Sequence, residues 1–588
     1  MQKLRIGYFE HWYRPPYVFA DFLAEQGVEI EKIDFKQRDY LEKYDVAIIE
    51  QHGFNDFIEN DEPYIQDWVK RGGIMVMMHQ DYQRWAPYFL PQELGHTMLI
   101  HRYVQTINGY SCVGVPSFTK DTSYYMTYLM PWIEEAGRKL FSVPNEITPD
   151  EMFMWNIDVD TFNITHASGD TEPNRVRTAA KSCFLYGEGW EVLGSFMDCA
   201  VQDGALILQG KYGKGMYLLN QILFPEVLNE DAERCLNFWK KYIPNLLAYL
   251  TRFKNGESEQ MPPKNKELPL KKNYKMSIHM HSLDWYGADS QPGTINALMR
   301  YMGWDICSLA IKDNAPYKGK LDTAKYSDDK VLFLDGQEYH PFNFKDSYQH
   351  VTHNNYHMLA MGIDSDAYTA RYTRTFFSDE EIDAYLKEAI EYVHAHGGAI
   401  CATHPNVDYW TAYDCDAVDK EPMTSLAATH IERFWLDGGR KALMNSVDLF
   451  GSRRALDYPA TNFIYLKGEK PCRESIVKAV RAGHTIAATG FDEADITLGE
   501  YVPGEELTAE DAQSLTLNIS AKTMHGPIRE VRVYAGKKVI FRTHSGSEDG
   551  TVCLQIPMKD LPLEAYIRVE IQGLDKHWIC NSTPFYLK

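Results

Sequence analysis

The pair His279-Met280-His281, closing the apolar run Tyr274–Ile278, constrains this chain more than any other feature. Side chains at i and i+2 of a strand point the same way, so both imidazoles can reach one point beyond the strand end, as a shared ion requires. A lone H-x-H is common on protein surfaces, and its weight here comes from the residues downstream of it. Lys312-Asp313-Asn314 follows the apolar run Asp305–Ile311, and Gly336-Gln337-Glu338 follows Val331–Leu334. His357 opens the next apolar run, His404-Pro405 closes Ala399–Thr403, and Asp448 follows Ala442–Val447. Six strand ends in chain order each present a His, Asp or Glu. Taken singly, each reads equally well as a solvated acid or a hydrogen-bonded histidine. The ordered series reads as one cleft lined from the carboxyl ends of β/α-barrel strands.

A barrel of that kind does not fill the chain. Its 588 residues suit about three or four domains. Residues 1–251 alternate strand and helix: strands at 4–9, 28–34, 45–49 and 74–78, with a helix over 65–71 stopped by Gly72-Gly73. The pattern predicts a doubly wound, flavodoxin-like parallel sheet. Glu50 and His79 stand at strand ends, where open α/β sheets bind ligands, although a structural role explains them as well. Gly210-Lys211-Tyr212-Gly213-Lys214-Gly215 lacks the G-x-x-x-x-G-K-[ST] spacing of a phosphate loop and reads as a turn with solvated lysines.

Residues 252–273 are polar, charged and proline-containing, as a linker is. Within 274–490, Ser378 and Glu381 form a capping box, and Ile382, Leu386, Ala389, Ile390 and Val393 make a stripe at helical spacing. From about 491 the pattern turns all-β, with strands at 514–520, 531–535, 539–543, 552–556 and 565–571, which predicts a small β-sandwich.

Charge narrows the partners. Sixty basic against 82 acidic residues give −22, which disfavours nucleic acid or an anionic membrane as the main partner. No apolar run approaches the roughly 20 residues of a membrane span. The ten cysteines contain no C-x-x-C pair and read as buried thiols of a reducing compartment. With Met1–Ile6 entering a strand directly, the expectation is a cytoplasmic protein; secretion with a removed signal stays open.

The series His279-Met280-His281-Ser282, Lys312-Asp313-Asn314, Gly336-Gln337-Glu338, His357, His404-Pro405 and Asp448-Leu449-Phe450 resembles the PHP (polymerase and histidinol phosphatase) family over roughly 273–490. Gly483–Gly490 and Ser582–Leu587 resemble the closing segments of its carbaryl-hydrolase-like branch. The resemblance implies a distorted β/α barrel of about seven strands and a metal-dependent hydrolase. It implies one ion on His279, His281, Glu338 and Asp448, and a second on Glu338, His357 and His404, with Glu338 bridging. Imidazole and carboxylate suit two divalent transition ions, zinc, manganese or iron, which together make a hydroxide nucleophile available at neutral pH.

At the positions where the family carries imidazoles for a third ion stand Asn314 and Phe450, so that site is read as lost. Asp313 joins Glu338 as a candidate catalytic carboxylate, and Lys312, Asn314 and Arg453 are candidate substrate-binding residues. Tyr339, His340, His350 and His353 are candidates for protonating a leaving group.

The first 251 residues resemble the class I glutamine-amidotransferase-like fold in its trehalose-utilisation-like form. Met75–Gln80, where that fold carries its nucleophile, has no Cys, so transfer of glutamine nitrogen is not expected. The expectation is therefore an amidotransferase-like domain at 1–251, a linker at 252–273, a barrel at 274–490 and a sandwich at 491–588. The function expected is hydrolysis of a phosphoester or a carboxyl or carbamate ester of a small substrate, with a sugar-linked one compatible. A non-catalytic metal- or carbohydrate-binding descendant of such a hydrolase is the alternative, and a homo-oligomer is open.

Overall fold

Short apolar runs punctuated by glycine build the amino-terminal sheet. In this computed structural model the described residues are 3–10, 18–50, 61–80, 85, 87–101, 106–107, 110–111, 132–148, 151, 162–164, 174–176, 182–196, 204–222, 224, 230–281, 292–312, 323–339, 357–363, 378–403, 413–419, 425–446, 459–524, 526–544, 549–573 and 578–588. The chain divides into two compact units. The first is Met1–Pro263 with Tyr286–Leu298 and Gly451–Arg453; the second is Lys264–Trp285, Met299–Phe450 and Arg454–Lys588.

In the first unit, β1 (Ile6–Phe9), β2 (Ile30–Lys32), β3 (Val46–Ile49), β4 (Ile74–Met77), β5 (Gly204–Tyr212) and β6 (Gly215–Asn220) lie in the order β2-β1-β3-β4-β6-β5. All neighbours up to β6 are parallel, and β5 is antiparallel to β6. Strands β3, β4 and β6 are buried along their whole length, which is why they read as unbroken apolar runs rather than alternating ones. Helix α1 (Glu62–Lys70) carries Trp68 and Val69 into the core. Gly213 at φ +59 and Lys214 form the two-residue turn joining β5 to β6, with Lys211 and Lys214 exposed, so this glycine-rich stretch is a hairpin.

The second unit contains β7 (Tyr274–Met280), β8 (Ile306–Leu309), β9 (Ile311–Lys312), β10 (Leu332–Leu334), β11 (Gly336–Tyr339), β12 (His357–Met361), β13 (Ala399–Thr403), β14 (Ala417–Asp419), β15 (Ala442–Met444), β16 (Ala460–Ile464) and β17 (Thr485–Thr489). They form two curled sheets, β10-β8-β7-β16-β17 and β9-β11-β12-β13-β14-β15. The runs β8–β9 and β10–β11 each break at one residue, Ala310 and Asp335, and pass from the first sheet into the second. The strand directions are mixed. β7, β8 and β10 are parallel, as are β13, β14 and β15, but β12 is antiparallel to both neighbours and β16 to both of its own. An antiparallel neighbour needs only a return loop, whereas a parallel one needs a long crossover.

Helix α2 (Asp379–Ala395) starts where Ser378 accepts a hydrogen bond from the Glu381 amide at 3.2 Å. Its stripe, Ile382, Leu386, Ala389, Ile390 and Val393, packs on Met358, Ala360, Ile400 and Ala402 of β12 and β13. The opposite side of these sheets is a second core, in which Met276, Ile306, Leu359 and Cys401 meet Ile476 and Val480 of α4 (Arg473–Arg481). Helix α3 (Ser425–Leu436) precedes β15.

The remaining strands of the second unit form two facing sheets, antiparallel except where Glu506–Leu507 pairs parallel with Phe585–Leu587, that share a core including Ile496, Leu517, Ile519, Val533, Val569 and Ile571. One of these sheets continues the first curled sheet: Ile579–Ser582 pairs antiparallel with β17. The strand expected from 514 begins at Thr516, because the Asp511 amide donates to Thr508 Oγ1 at 3.0 Å and caps a short helix, Ala509–Ser514. No described helix is long and apolar enough to cross a membrane.

Candidate metal centre

The ladder between β7 and β8 pairs Ser277 with Cys307 and then Met280 with Leu309, so three steps on β7 match two on β8. This one-residue bulge re-aims the residues beyond it, as bulges beside functional sites do. His279 and His281 lie at that end of β7, with ring centroids 4.9 Å apart and both residues buried.

Glu338 arrives from β11 through the corner at Asp335–Gly336. A Cβ at Gly336 would sit 2.4 Å from the Leu309 carbonyl oxygen and 2.7 Å from that of Ala360. Backbone approaches that close admit glycine alone, which is the physical reason for the glycine of the G-x-E triplet. Two residues on, the fully buried Glu338 carboxylate has Oε1 3.4 Å from His279 Nε2 and Oε2 3.5 Å from His281 Nε2. Oε1 is also 3.0 Å from Nδ1 of His357, the first residue of β12.

The ligand atoms of His279, His281 and Glu338 all lie within 4.8 Å of one another. Two donors each about 2.1 Å from a tetrahedral ion stand about 3.4 Å apart, so the observed separations suit donors converging on a transition ion. The donor chemistry, neutral imidazole with carboxylate, suits the same ions. The residues present therefore fit a metal.

His279 Nδ1 lies 2.7 Å from the backbone oxygen of Ser446. A carbonyl can only accept, so the neutral ring carries its proton on Nδ1 and turns the lone pair of Nε2 toward Glu338. The residue that supplies this oxygen is itself held. The Ser446 amide donates to Asp419 Oδ1 at 2.9 Å, and Ser446 Oγ lies 3.3 Å from Thr403 Oγ1. The Asn445 amide donates to Asn462 Oδ1 at 2.7 Å, while its side chain donates to the Ala488 oxygen at 2.6 Å.

Asp419, Ser446, Asn445 and Asn462 do not stand out in the sequence. The side chains of Asp419, Asn445 and Asn462 are spent holding main-chain groups near the site, Ser446 supplies its own carbonyl, and no spacing of residue types marks them.

Of the residues expected at the site, His279, His281, Glu338 and His357 come together. Lys312 lies on β9 with its backbone paired to Glu338, and its side chain is outside the described residues. Asp313, Asn314, His404, Asp448, Phe450 and Arg453 also lie outside the described residues, as do His340, His350 and His353. Thr403, the residue before His404, pairs with His357 in the ladder.

Tyr339 is corrected as a leaving-group donor. Its neighbour position on β11 turns it to the other face, where it packs in the apolar layer under α2, 6.4 Å from the ring of Tyr385. Burial pushes the thiols of Cys307 and Cys401 well above their usual range, Cys401 further because of the nearby Asp419 carboxylate.

In the first unit the strand-end groups are tied internally. Glu50 accepts from the Ala20 amide at 2.9 Å, and the Gln221 side chain accepts from the Gln80 amide at 2.8 Å and donates to the Gln80 carbonyl at 3.1 Å.

No protein-family model matches the chain, and no curated protein matches it. Among solved structures, a two-domain protein from Bacteroides vulgatus containing a predicted PHP-like metal-dependent phosphoesterase is 13% identical over 56% of this chain and 99% of its own, with a TM-score of 0.29. The β-galactosidase from Rahnella sp. R3 is 12% identical over 42% of this chain and 31% of its own, with a TM-score of 0.23. A cytoplasmic protein from Salmonella typhimurium LT2 is 12% identical over 42% of this chain and 98% of its own, with a TM-score of 0.24. Likenesses this low leave the chemistry of this chain to be derived from its own residues.

Proposed function

We propose that the chain is a metal-dependent hydrolase of the PHP type, cleaving a phosphoester or a carboxyl or carbamate ester of a small substrate, sugar-linked substrates included. The observation that carries this reading is the buried Glu338 carboxylate with three imidazoles, His279, His281 and His357, at 3.0 to 3.5 Å. His279, His281, Glu338 and Asp448 would hold one ion and Glu338, His357 and His404 a second. When bound, two zinc, manganese or iron ions supply a hydroxide nucleophile at neutral pH and polarise the scissile bond.

The chain's own residues do the rest. Burial of His279, His281 and Glu338 keeps bulk water from competing for the donors. Ser446 fixes the tautomer of His279. Asp313 orients a ligand, and Lys312, Asn314 and Arg453 meet the anionic part of the substrate. The segments Gly483–Gly490 and Ser582–Leu587 support a place in the carbaryl-hydrolase-like branch.

Residues 1–251 are read as an amidotransferase-like domain that serves recognition, followed by a linker at 252–273, the catalytic barrel at 274–490 and the sandwich at 491–588. Buried free thiols at Cys307, Cys401 and Cys415 support a reducing, cytoplasmic setting.

The test is turnover of chromogenic phosphomonoesters, phosphodiesters, carboxyl esters and carbamates by chain stripped of metal and reloaded with zinc, manganese or iron. Metal-dependent hydrolysis of one class, abolished by Glu338→Ala, is the expected result. Metal-loaded chain inert toward every class contradicts the reading.

A further inference from the structure

Four groups connect the end of β14 to the candidate metal centre. Asp419, the last residue of β14, accepts the Ser446 amide on Oδ1 at 2.9 Å. Ser446 in turn presents its carbonyl oxygen to His279 Nδ1 at 2.7 Å, and His279 Nε2 stands 3.4 Å from Glu338. The relay is dry: Asp419 is 3% exposed, Ser446 0% and His279 1%. Bonds in such surroundings are strong, and a buried amide deprived of its acceptor is costly.

We propose that Asp419 is a positioning residue for the metal centre, holding the Ser446 backbone from its amide side so that the carbonyl of that residue locks the His279 ring in the ligating tautomer and orientation. This rests on the proposed reading of the site as a metal centre. Asp419 ends a strand as the residues of the series do, but its Oδ1 is committed to a backbone amide. The role needs an acceptor at that position and does not need its charge. The hydroxyl link from Ser446 to Thr403, at 3.3 Å, is the weaker and secondary support.

The experiment measures zinc affinity of the full chain by competition with a chromophoric chelator, alongside circular dichroism of the metal-free protein. Asp419→Ala should bind zinc about 10- to 100-fold more weakly than wild type, the loss typical when a partner behind a ligand is removed. Asp419→Asn keeps an oxygen acceptor and should recover affinity to within about threefold of wild type. Asp419→Glu keeps the charge but lengthens the arm, and should bind weakly like Asp419→Ala.

Should Asp419→Ala fail to fold, the contrast of Asn with Glu carries the test alone. Wild type and Asp419→Ala binding zinc equally, or Asn binding as poorly as Glu, overturns the positioning role while leaving the metal centre standing. Wild type that binds no zinc overturns the metal centre, and this role with it.

Discussion

Nδ1 of His279 lies 2.7 Å from the backbone oxygen of Ser446, and that contact decides which nitrogen of the ring faces Glu338. Ser446 follows β15, while His279 belongs to β7, so the ligand on one strand is oriented by the chain leaving another. The arrangement is therefore a property of the folded second unit rather than of any single motif.

Glu338 is the hub of the arrangement, facing three imidazoles among the described residues. Glu338→Ala is expected to lose nearly all bound transition metal, since it removes a donor that the reading assigns to both ions. His357→Ala should keep about half, because His357 serves one ion in the two-ion arrangement. Elemental analysis of both variants after identical reloading checks the order. A Glu338 variant that retains more metal than the His357 variant contradicts the bridging role.

Gly336 admits no side chain, with backbone oxygens of Leu309 and Ala360 at 2.4 and 2.7 Å from where a Cβ would stand. Gly336→Ala should cost about 1–3 kcal/mol of stability through overpacking. By shifting β11 it should also weaken metal binding, although the residue ligates nothing. Chemical denaturation and chelator competition read the two effects; an alanine variant with unchanged metal affinity would show that the corner does not place Glu338.

Arg568 is buried on the sandwich strand Tyr566–Gly573, where it pairs with Glu432 of α3, lies 3.4 Å from Glu570 and covers the Tyr534 ring at 3.8 Å. Burial alone would lower its pKa, but Glu432 and Glu570 outweigh that and raise it. Removing one partner of a buried pair costs about 3–5 kcal/mol, since the other charge is left uncompensated. Arg568→Ala should lower the denaturation midpoint of the second unit accordingly. A change of less than about 1 kcal/mol would place this pair among the weak surface ones.

His484 opens the segment into β17, and burial, the largest influence on it, lowers its pKa below the usual histidine value, with Lys467 and Lys478 adding to the shift against Glu505. A histidine depressed in the folded state favours the neutral form there, so the unfolded chain binds more protons as the pH falls. Its contribution is fully present above the unfolded value of about 6.5 and is lost as the pH drops through that value toward the folded one. Stability of the metal-free chain should fall from about pH 7 to pH 5 more steeply in wild type than in His484→Gln. Parallel slopes for the two proteins would contradict this.

Much of the second unit was legible in sequence because its signals are local. The capping box at Ser378, the stripe from Ile382 to Val393 and the glycines after it gave α2 and β13 nearly to the residue. Strand directions were not legible. Whether β12 runs with or against β11 depends on which edge it meets, and His357-Met358-Leu359-Ala360-Met361 reads alike in both. The continuation of the first curled sheet through β17 into Ile579–Ser582 was hidden for the same reason, since pairing about 95 residues apart leaves no mark on periodicity. At the centre, the histidines and Glu338 were legible because their side chains are themselves the chemistry. Asp419 and Ser446 were not, because Ser446 supplies a backbone oxygen and Asp419 serves only to hold the backbone that carries it.

The most direct test of the metal centre is elemental analysis of chain purified without added metal, repeated after stripping and reloading with zinc, manganese or iron. About two transition ions per chain, falling to nearly none in Glu338→Ala, is the outcome the proposed two-ion function predicts. Well-folded chain that holds no transition ion after reloading would contradict it.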